Sequence, residues 1–318
     1  MQARITSLVS VVLMTAGLAL GCDPEVLEDG VEDGEVSLRP GSGGGIWLNT
    51  SSIGTQTFSE FDTTGAVHDG IRFTGLLLQR PNNQWLAANP EVKDGTLKGK
   101  VGKTSYEGVD LIGSRWQFNL VEGAVETPVE IWIESFTQIS GKEARYTFMT
   151  LDANGAPAPI CEVDPSGSYN AIPVKDITVD SATGDMLARS KTAYLACTSG
   201  AVGKAIVWGY RPWERPLPEF EVAIRMVRGD YCYDGMSWTE TGISLQVRDK
   251  YNVNAFLDAS DPTEAVWTKT GSACLLTPRN PVFGQAAVTC DGQPLPTCPA
   301  NVGMTTYSDT LFWTKLGT

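Results

Sequence analysis

Six of the seven cysteines in this 318-residue chain, Cys161, Cys197, Cys232, Cys274, Cys290 and Cys298, lie in its second half, while Cys22 stands apart at the end of an apolar leader. An even set in a chain that leaves the cytosol reads as three disulfides, with fifteen possible connectivities. Cys290 and Cys298 flank a short proline-containing loop and are the first pair expected. A zinc site would need thiolates at characteristic close spacing, which is absent, and an oxidising compartment works against it. The same compartment makes Cys232 a staple rather than a reactive thiol. No metal and no other cofactor is expected on these grounds.

The export reading rests on residues 1–21. One early positive charge at Arg4 precedes an apolar run from Ile5 to Leu20, too short for a comfortable membrane span and shaped like a secretory signal. Ala19-Leu20-Gly21-Cys22 resembles a bacterial lipobox, although Leu20 follows Ala19 where leucine usually comes first. That resemblance implies acylation of Cys22, and anchoring by several acyl chains is what stable membrane attachment requires. Residues 22–45 then turn acidic, from Asp23 to Glu35 with only Arg39 opposing, and end in a glycine-rich run. Such a segment buries too little apolar surface to offset its ordering entropy and reads as a tether. Its carboxylates lack the spacing of a calcium loop.

Residues 46–160 read as β-structure. The runs Ile71 to Leu78, Trp116 to Val121, Val129 to Phe136 and Arg145 to Leu151 are rich in β-branched and aromatic residues and are bounded by glycine, proline or Asx turns. Asp152-Ala153-Asn154-Gly155 marks one such turn. Gly99-Lys100-Val101-Gly102-Lys103-Thr104 looks like the end of a phosphate loop, but Leu97 stands where the earlier glycine belongs, so a glycine hairpin is the better reading. A sandwich or partly open barrel follows for this half.

Residues 161–318 carry a different pattern. After Thr198 and Ser199, either able to cap a helix, apolar residues fall at Ala201, Val202, Ala205, Ile206 and Trp208, which is helical spacing, and Gly209 and Pro212 supply the stop. Phe220, Ala223, Ile224, Val227 and Tyr231 fit a second helix, although Val222, Ile224 and Met226 also alternate as in a strand. Gly229 lies near its end, and Thr241-Gly242 separates two short β-prone runs that predict a hairpin. The fold class expected is α+β: a β-rich first half and a disulfide-stapled second half with two short helices and β-hairpins.

The stretch from Tyr194 to Arg248 resembles the ADYC-domain family of exported bacterial proteins through Trp208-Gly209-Tyr210, Pro212-Trp213 and the signature Gly229-Asp230-Tyr231-Cys232, where the family's alanine is replaced by Gly229. The resemblance implies no particular chemistry. By the same resemblance, cysteines of the family fall where this chain has Ala205 and Ala223, which implies one bridge lost and two helices packed side by side.

Catalytic motifs are sparse. His68, the single histidine, lies in a Val67-His68-Asp69-Gly70 turn and reads as an exposed turn residue; no Gly-x-Ser-x-Gly elbow accompanies it. Arg228-Gly229-Asp230 spells an adhesion tripeptide but overlaps the signature and a helix end. The net charge of −13 offers nothing to nucleic acid. Nine tryptophans, among them Trp208, Trp213, Trp238, Trp267 and Trp313, could stack on sugars or fill cores. Asp230, Asp234, Glu240 and Asp249 could supply a glycosidase pair only if two of them converge in space. The functional expectation is a lipid-anchored, cell-envelope protein with a non-enzymatic binding or scaffolding role, contacting the membrane through its lipid and a glycan or envelope protein through its surface. No catalytic residue is expected. The alternative is a histidine-independent glycoside hydrolase or a carbohydrate-binding protein.

Overall fold

The β-branched and aromatic runs of the first half are realised as a long, curled antiparallel sheet. In a computed structural model that describes residues 48–54, 56–239, 242–258, 260–280 and 288–317, the strands are β1 (Ser52–Ile53), β2 (Gln56–Thr57), β3 (Glu60–Asp62), β4 (Ile71–Gln79), β5 (Trp85–Lys93), β6 (Thr96–Val101) and β7 (Thr104–Glu107). They continue as β8 (Arg115–Glu122), β9 (Val125–Ser140), β10 (Glu143–Leu151), β11 (Pro157–Pro159), β12 (Asn170–Val179) and β13 (Met186–Cys197). The leader, Cys22, the tether and Glu240 lie outside the described residues.

The main sheet has eleven strands in the order β3-β13-β12-β10-β9-β8-β4-β5-β6-β7, with β11 on β10. It curls far enough that the β5–β6 turn meets the start of β10, where Gly95 N–H donates to Lys142 O and Ala144 N–H donates to Gly95 O. Tyr146 on β10 accepts a hydrogen bond from Leu97 N–H at 3.0 Å, and burial pushes its phenol up to about 12. The inside of the curl holds one core, with Phe58, Phe61, Phe73, Trp116, Phe118, Ile131, Ile133 and Phe148 among its buried members. This is the partly open barrel. The expected hairpin at Val101 and Thr104 forms, and Asp152 Oδ1 accepts the Asn154 and Ala156 N–H groups to make the Asx turn.

Two of the sheet's strands, β12 and β13, come from beyond Cys161. Thr192 to Cys197 is buried without interruption. Ala193, Leu195 and Cys197 face the barrel core, whereas Tyr194 and Ala196 face a second core. A strand covered on both sides needs no polar face, which is why this run reads as continuously apolar.

The second core contains α1 (Ala201–Val207) and α2 (Leu217–Arg228). Beyond the helices lies a four-stranded sheet, ordered β14-β19-β15-β16, from β14 (Leu245–Asp249), β15 (Thr263–Thr268), β16 (Gly271–Leu275) and β19 (Phe312–Leu316). The remaining strands, β17 (Thr289–Cys290) and β18 (Gln293–Pro294), form a separate ribbon. Barrel, helix pair and small sheet thus form successive layers, with Val247, Ala265, Trp267 and Phe312 covering the helices from the far side. Ala205 and Ala223 are both fully buried in this core, one on each of two helices that pack together.

Several local expectations are corrected. The bridges are Cys161–Cys197, Cys232–Cys290 and Cys274–Cys298, so Cys290 and Cys298 each reach a distant partner instead of one another. Neither Thr198 nor Ser199 caps α1; Gly200 holds that position, while Thr198 Oγ1 donates to Asp164 Oδ2 and Ser199 Oγ donates to Glu162 O. The expected hairpin at Thr241-Gly242 includes Glu240 and Thr241, which lie outside the described residues; β14, just beyond it, pairs with β19, and β15–β16 supplies a hairpin elsewhere.

Candidate functional site

The signature residues are placed first by α2. Its twelve residues end at Gly229, whose φ of 65° is the left-handed cap geometry that glycine adopts without strain. The chain therefore turns sharply, and the next three side chains diverge into three structural jobs. Asp230, fully buried, accepts from Arg225 Nη1 at 2.6 Å and from Gly235 N–H at 3.1 Å. Burial works against the Arg225 charge, but Asp230 and Glu221 outweigh it and hold the guanidinium above its ordinary range. Tyr231 stacks on Trp267 at 5.3 Å and donates its hydroxyl proton to Glu264 Oε1 at 2.6 Å. Cys232 bridges to Cys290.

Arg279 completes this cluster. Its backbone N–H donates to Tyr231 Oη, its Nε to Glu264 Oε1 at 2.9 Å, and its two terminal nitrogens to Val227 O and Met226 O at the end of α2. A cation there complements both the unsatisfied carbonyls and the helix dipole. The signature is thus the bolt between α2 and the small sheet. With Arg228 and Asp230 both buried, the Arg-Gly-Asp tripeptide presents no adhesion loop.

The other resemblance residues form a seam of the same kind. Trp208 ends α1 and Gly209 follows with φ 92°, as the stop required. Tyr210 donates to Asp249 Oδ2 at 3.0 Å and meets Phe312 edge-on, while Arg211 Nε donates to the buried Glu143 of the barrel at 2.8 Å. Pro212 leads into Trp213, whose ring lies against Gly95 so closely that any Cβ there would collide with it.

The candidate carboxylates among the described residues, Asp230, Asp234 and Asp249, are each taken up by hydrogen bonds of the fold. Asp230 is bound as above; Asp249 accepts the N–H groups of Tyr251, Val253 and Asn254; and exposed Asp234 accepts that of Met236. Of the tryptophans singled out from sequence, Trp267 is fully buried and donates to Thr314 Oγ1, and Trp208, Trp213 and Trp238 pack against the helix core. Trp313 packs against Phe256.

Two constellations went unread in the sequence. On the outer face of the barrel, Arg115 lies opposite Trp132 in the β8–β9 register, 5.1 Å from that ring and 6.0 Å from the ring of Trp85 on β5. Glu130 pairs with Arg115 at 2.8 Å, and Gln117, Asn119, Glu130 and Thr150 line an open groove of about 880 Å3 beside Trp132. Trp132 stands between Ile131 and Ile133, both buried, so strand alternation alone would have pointed it outward.

The second constellation corrects the reading of His68. Its side chain is only 10% exposed, and Nε2 lies 2.8 Å from Glu60 Oε1 and 3.1 Å from Thr178 Oγ1. The hydrogen bond to Glu60 raises its pKa, burial opposing. Glu60 belongs to the edge strand β3, and no local pattern links it to a turn eight residues away and a strand more than a hundred residues on.

No curated protein and no solved structure matches this chain. The ADYC domain profile matches residues 108–281, more than half of the chain, spanning β8 to β13, both helices and the Arg279 cluster. The chain therefore belongs to the ADYC-domain family, whose signature in this protein is a buried structural joint.

Proposed function

We propose that this is an exported, lipid-anchored binding protein of the cell envelope, and that its ligand face is the outer barrel surface around Trp85, Arg115 and Trp132. Its ligand class is a glycan. The observation that carries this reading is the row of aromatic faces beside a polar groove: Trp85 is 42% exposed, Arg115 lies between it and the half-buried Trp132, and Gln117, Asn119 and Glu130 line the groove next to Trp132. Indole faces stack on the C–H faces of sugar rings, and planar side-chain groups take pairs of neighbouring hydroxyls. The carboxylates near the signature are engaged in fold-maintaining bonds, which favours binding over hydrolysis. Three disulfides, and the lack among the described residues of any helix long and apolar enough to cross a membrane, are compatible with a folded body outside the cytosol, held at the membrane through Cys22.

Affinity electrophoresis through gels containing soluble β-glucan, mannan or solubilised peptidoglycan tests the reading. Retardation by at least one polysaccharide is expected, weakened roughly tenfold or more in a Trp85→Ala/Trp132→Ala variant whose melting curve stays cooperative. Undiminished retardation of that variant, or none of the wild type in any gel, would overturn it.

A further inference from the structure

Glu60 poses a problem that its neighbours do not solve. Its side chain is 4% exposed, and Oε1 is used twice, accepting from Thr178 Oγ1 at 2.6 Å and lying 2.8 Å from His68 Nε2. Oε2, by contrast, is buried with no hydrogen-bond partner. A buried carboxylate oxygen left unpaired carries a desolvation cost that no hydrogen bond offsets. Glu60 also lines a cavity of about 320 Å3 whose other walls include Gln56, Ser59, Asp69 and Tyr194. Gln56 Oε1 is a second buried oxygen there without a partner.

Asp69 brings a further carboxylate to the same point, with Oδ2 3.6 Å from His68 Nε2, so one ligand atom from each of Glu60, His68 and Asp69 lies within 4.8 Å of the others. Ligands bound at about 2.0–2.2 Å in a tetrahedral shell stand about 3.3–3.6 Å apart, and the separations of 2.8 and 3.6 Å from His68 Nε2 to the two carboxylates are near that spacing. We propose that Glu60, His68 and Asp69 form a divalent transition-metal site opening on this cavity, with Zn2+ as the fitting occupant.

The donor set decides the class of metal. An imidazole nitrogen among carboxylates favours a transition metal over Ca2+ or Mg2+, which take oxygen shells. Thr178, bonded to Glu60 Oε1, holds the carboxylate in orientation as an outer partner. The geometry is pinned by backbone: His68 and Ile71 exchange both N–H···O bonds at 2.9 and 2.8 Å, which fixes the turn that carries His68 and Asp69 into the start of β4. Three protein ligands leave a fourth position toward the cavity, where water or an oxygen-donor ligand binds. The cavity is distinct from the tryptophan groove, so the site stands or falls independently of glycan binding.

The test uses the untagged full chain, stripped with chelator and titrated with Zn2+ by calorimetry. One equivalent is expected to bind, with affinity falling more than about tenfold in His68→Ala and unchanged in Asp152→Asn, an exposed turn carboxylate far along the chain. Because His68 is the only histidine, X-ray absorption on zinc-loaded wild type gives an independent reading that needs no variant. One imidazole in the metal shell is expected. Equal affinity in His68→Ala would assign the metal to the acidic segment after Cys22, and a shell without imidazole, or no binding at all, would equally overturn the proposal.

Discussion

Gly229 shows how one residue can depart from a family's own letter and still serve the fold. At φ 65° an L side chain is strained by about 1 kcal/mol or more, even though a Cβ there would meet only ordinary contacts at 3.6 Å, to Arg279 Cζ among others. Gly229→Ala restores the family's alanine, fits sterically, and is expected to lower unfolding free energy by about 1 kcal/mol in urea titration. A stabilised variant would mean that α2 does not end in the left-handed cap. His68 teaches the complementary lesson, since a turn histidine flanked by valine and glycine looks solvent-facing until Glu60 and Thr178 arrive from strands remote in sequence.

Among the elements, α2 explains why helix and strand patterns competed in the sequence. Phe220 and every residue from Val222 to Arg228 are buried, because the helix lies between the barrel wall and the small sheet, and burial on both sides lets either periodicity fit. What ties its start to the neighbouring layer is Glu219. Burial would raise its pKa, but hydrogen bonds from Lys250 and Tyr251, with Lys269 nearby, pull it down to about 2. A carboxylate depressed in the folded state stabilises the protein above its ordinary pKa of 4.5 and loses that contribution as pH falls toward 2. Melting temperatures of wild type and Glu219→Gln are therefore expected to differ most at pH 5–6 and to converge near pH 2. A gap that stays constant with pH would remove Glu219 from the joint.

For the whole molecule, the three bridges divide their work by layer. Cys161–Cys197 fastens the exit from β11 to the end of β13 within the barrel core, while Cys232–Cys290 and Cys274–Cys298 fasten the signature turn and the small sheet. Cys232–Cys290 spans 58 residues, and its loss on a chain-entropy basis costs about 4 kcal/mol. The Cys232→Ser/Cys290→Ser variant is expected to fall by about that amount in denaturant unfolding. Peptide mapping of natively isolated protein without reduction should recover these three pairs, and the same mass data read acylation at Cys22; a Cys290–Cys298 peptide would contradict the topology.

Local chemistry was enough to read four long strands of the first half and both helices. Runs rich in β-branched and aromatic residues located β4, β8, β9 and β10; apolar spacing located α1 and α2; the even cysteine set implied three bridges; and the signature residues named the family. These properties depend on neighbours within a few positions. Partners separated by many residues were decided only by the tertiary structure: which cysteines meet, why β14 pairs with the C-terminal β19 instead of folding back on its own turn, and how Glu60, His68 and Thr178 reach one corner. The same holds for Trp85, Arg115 and Trp132, whose outward direction is a matter of strand period but whose meeting is a matter of register. The physical reason is that propensity and period act along the chain, whereas pairing is selected by layers that bury a strand or a helix on both sides at once.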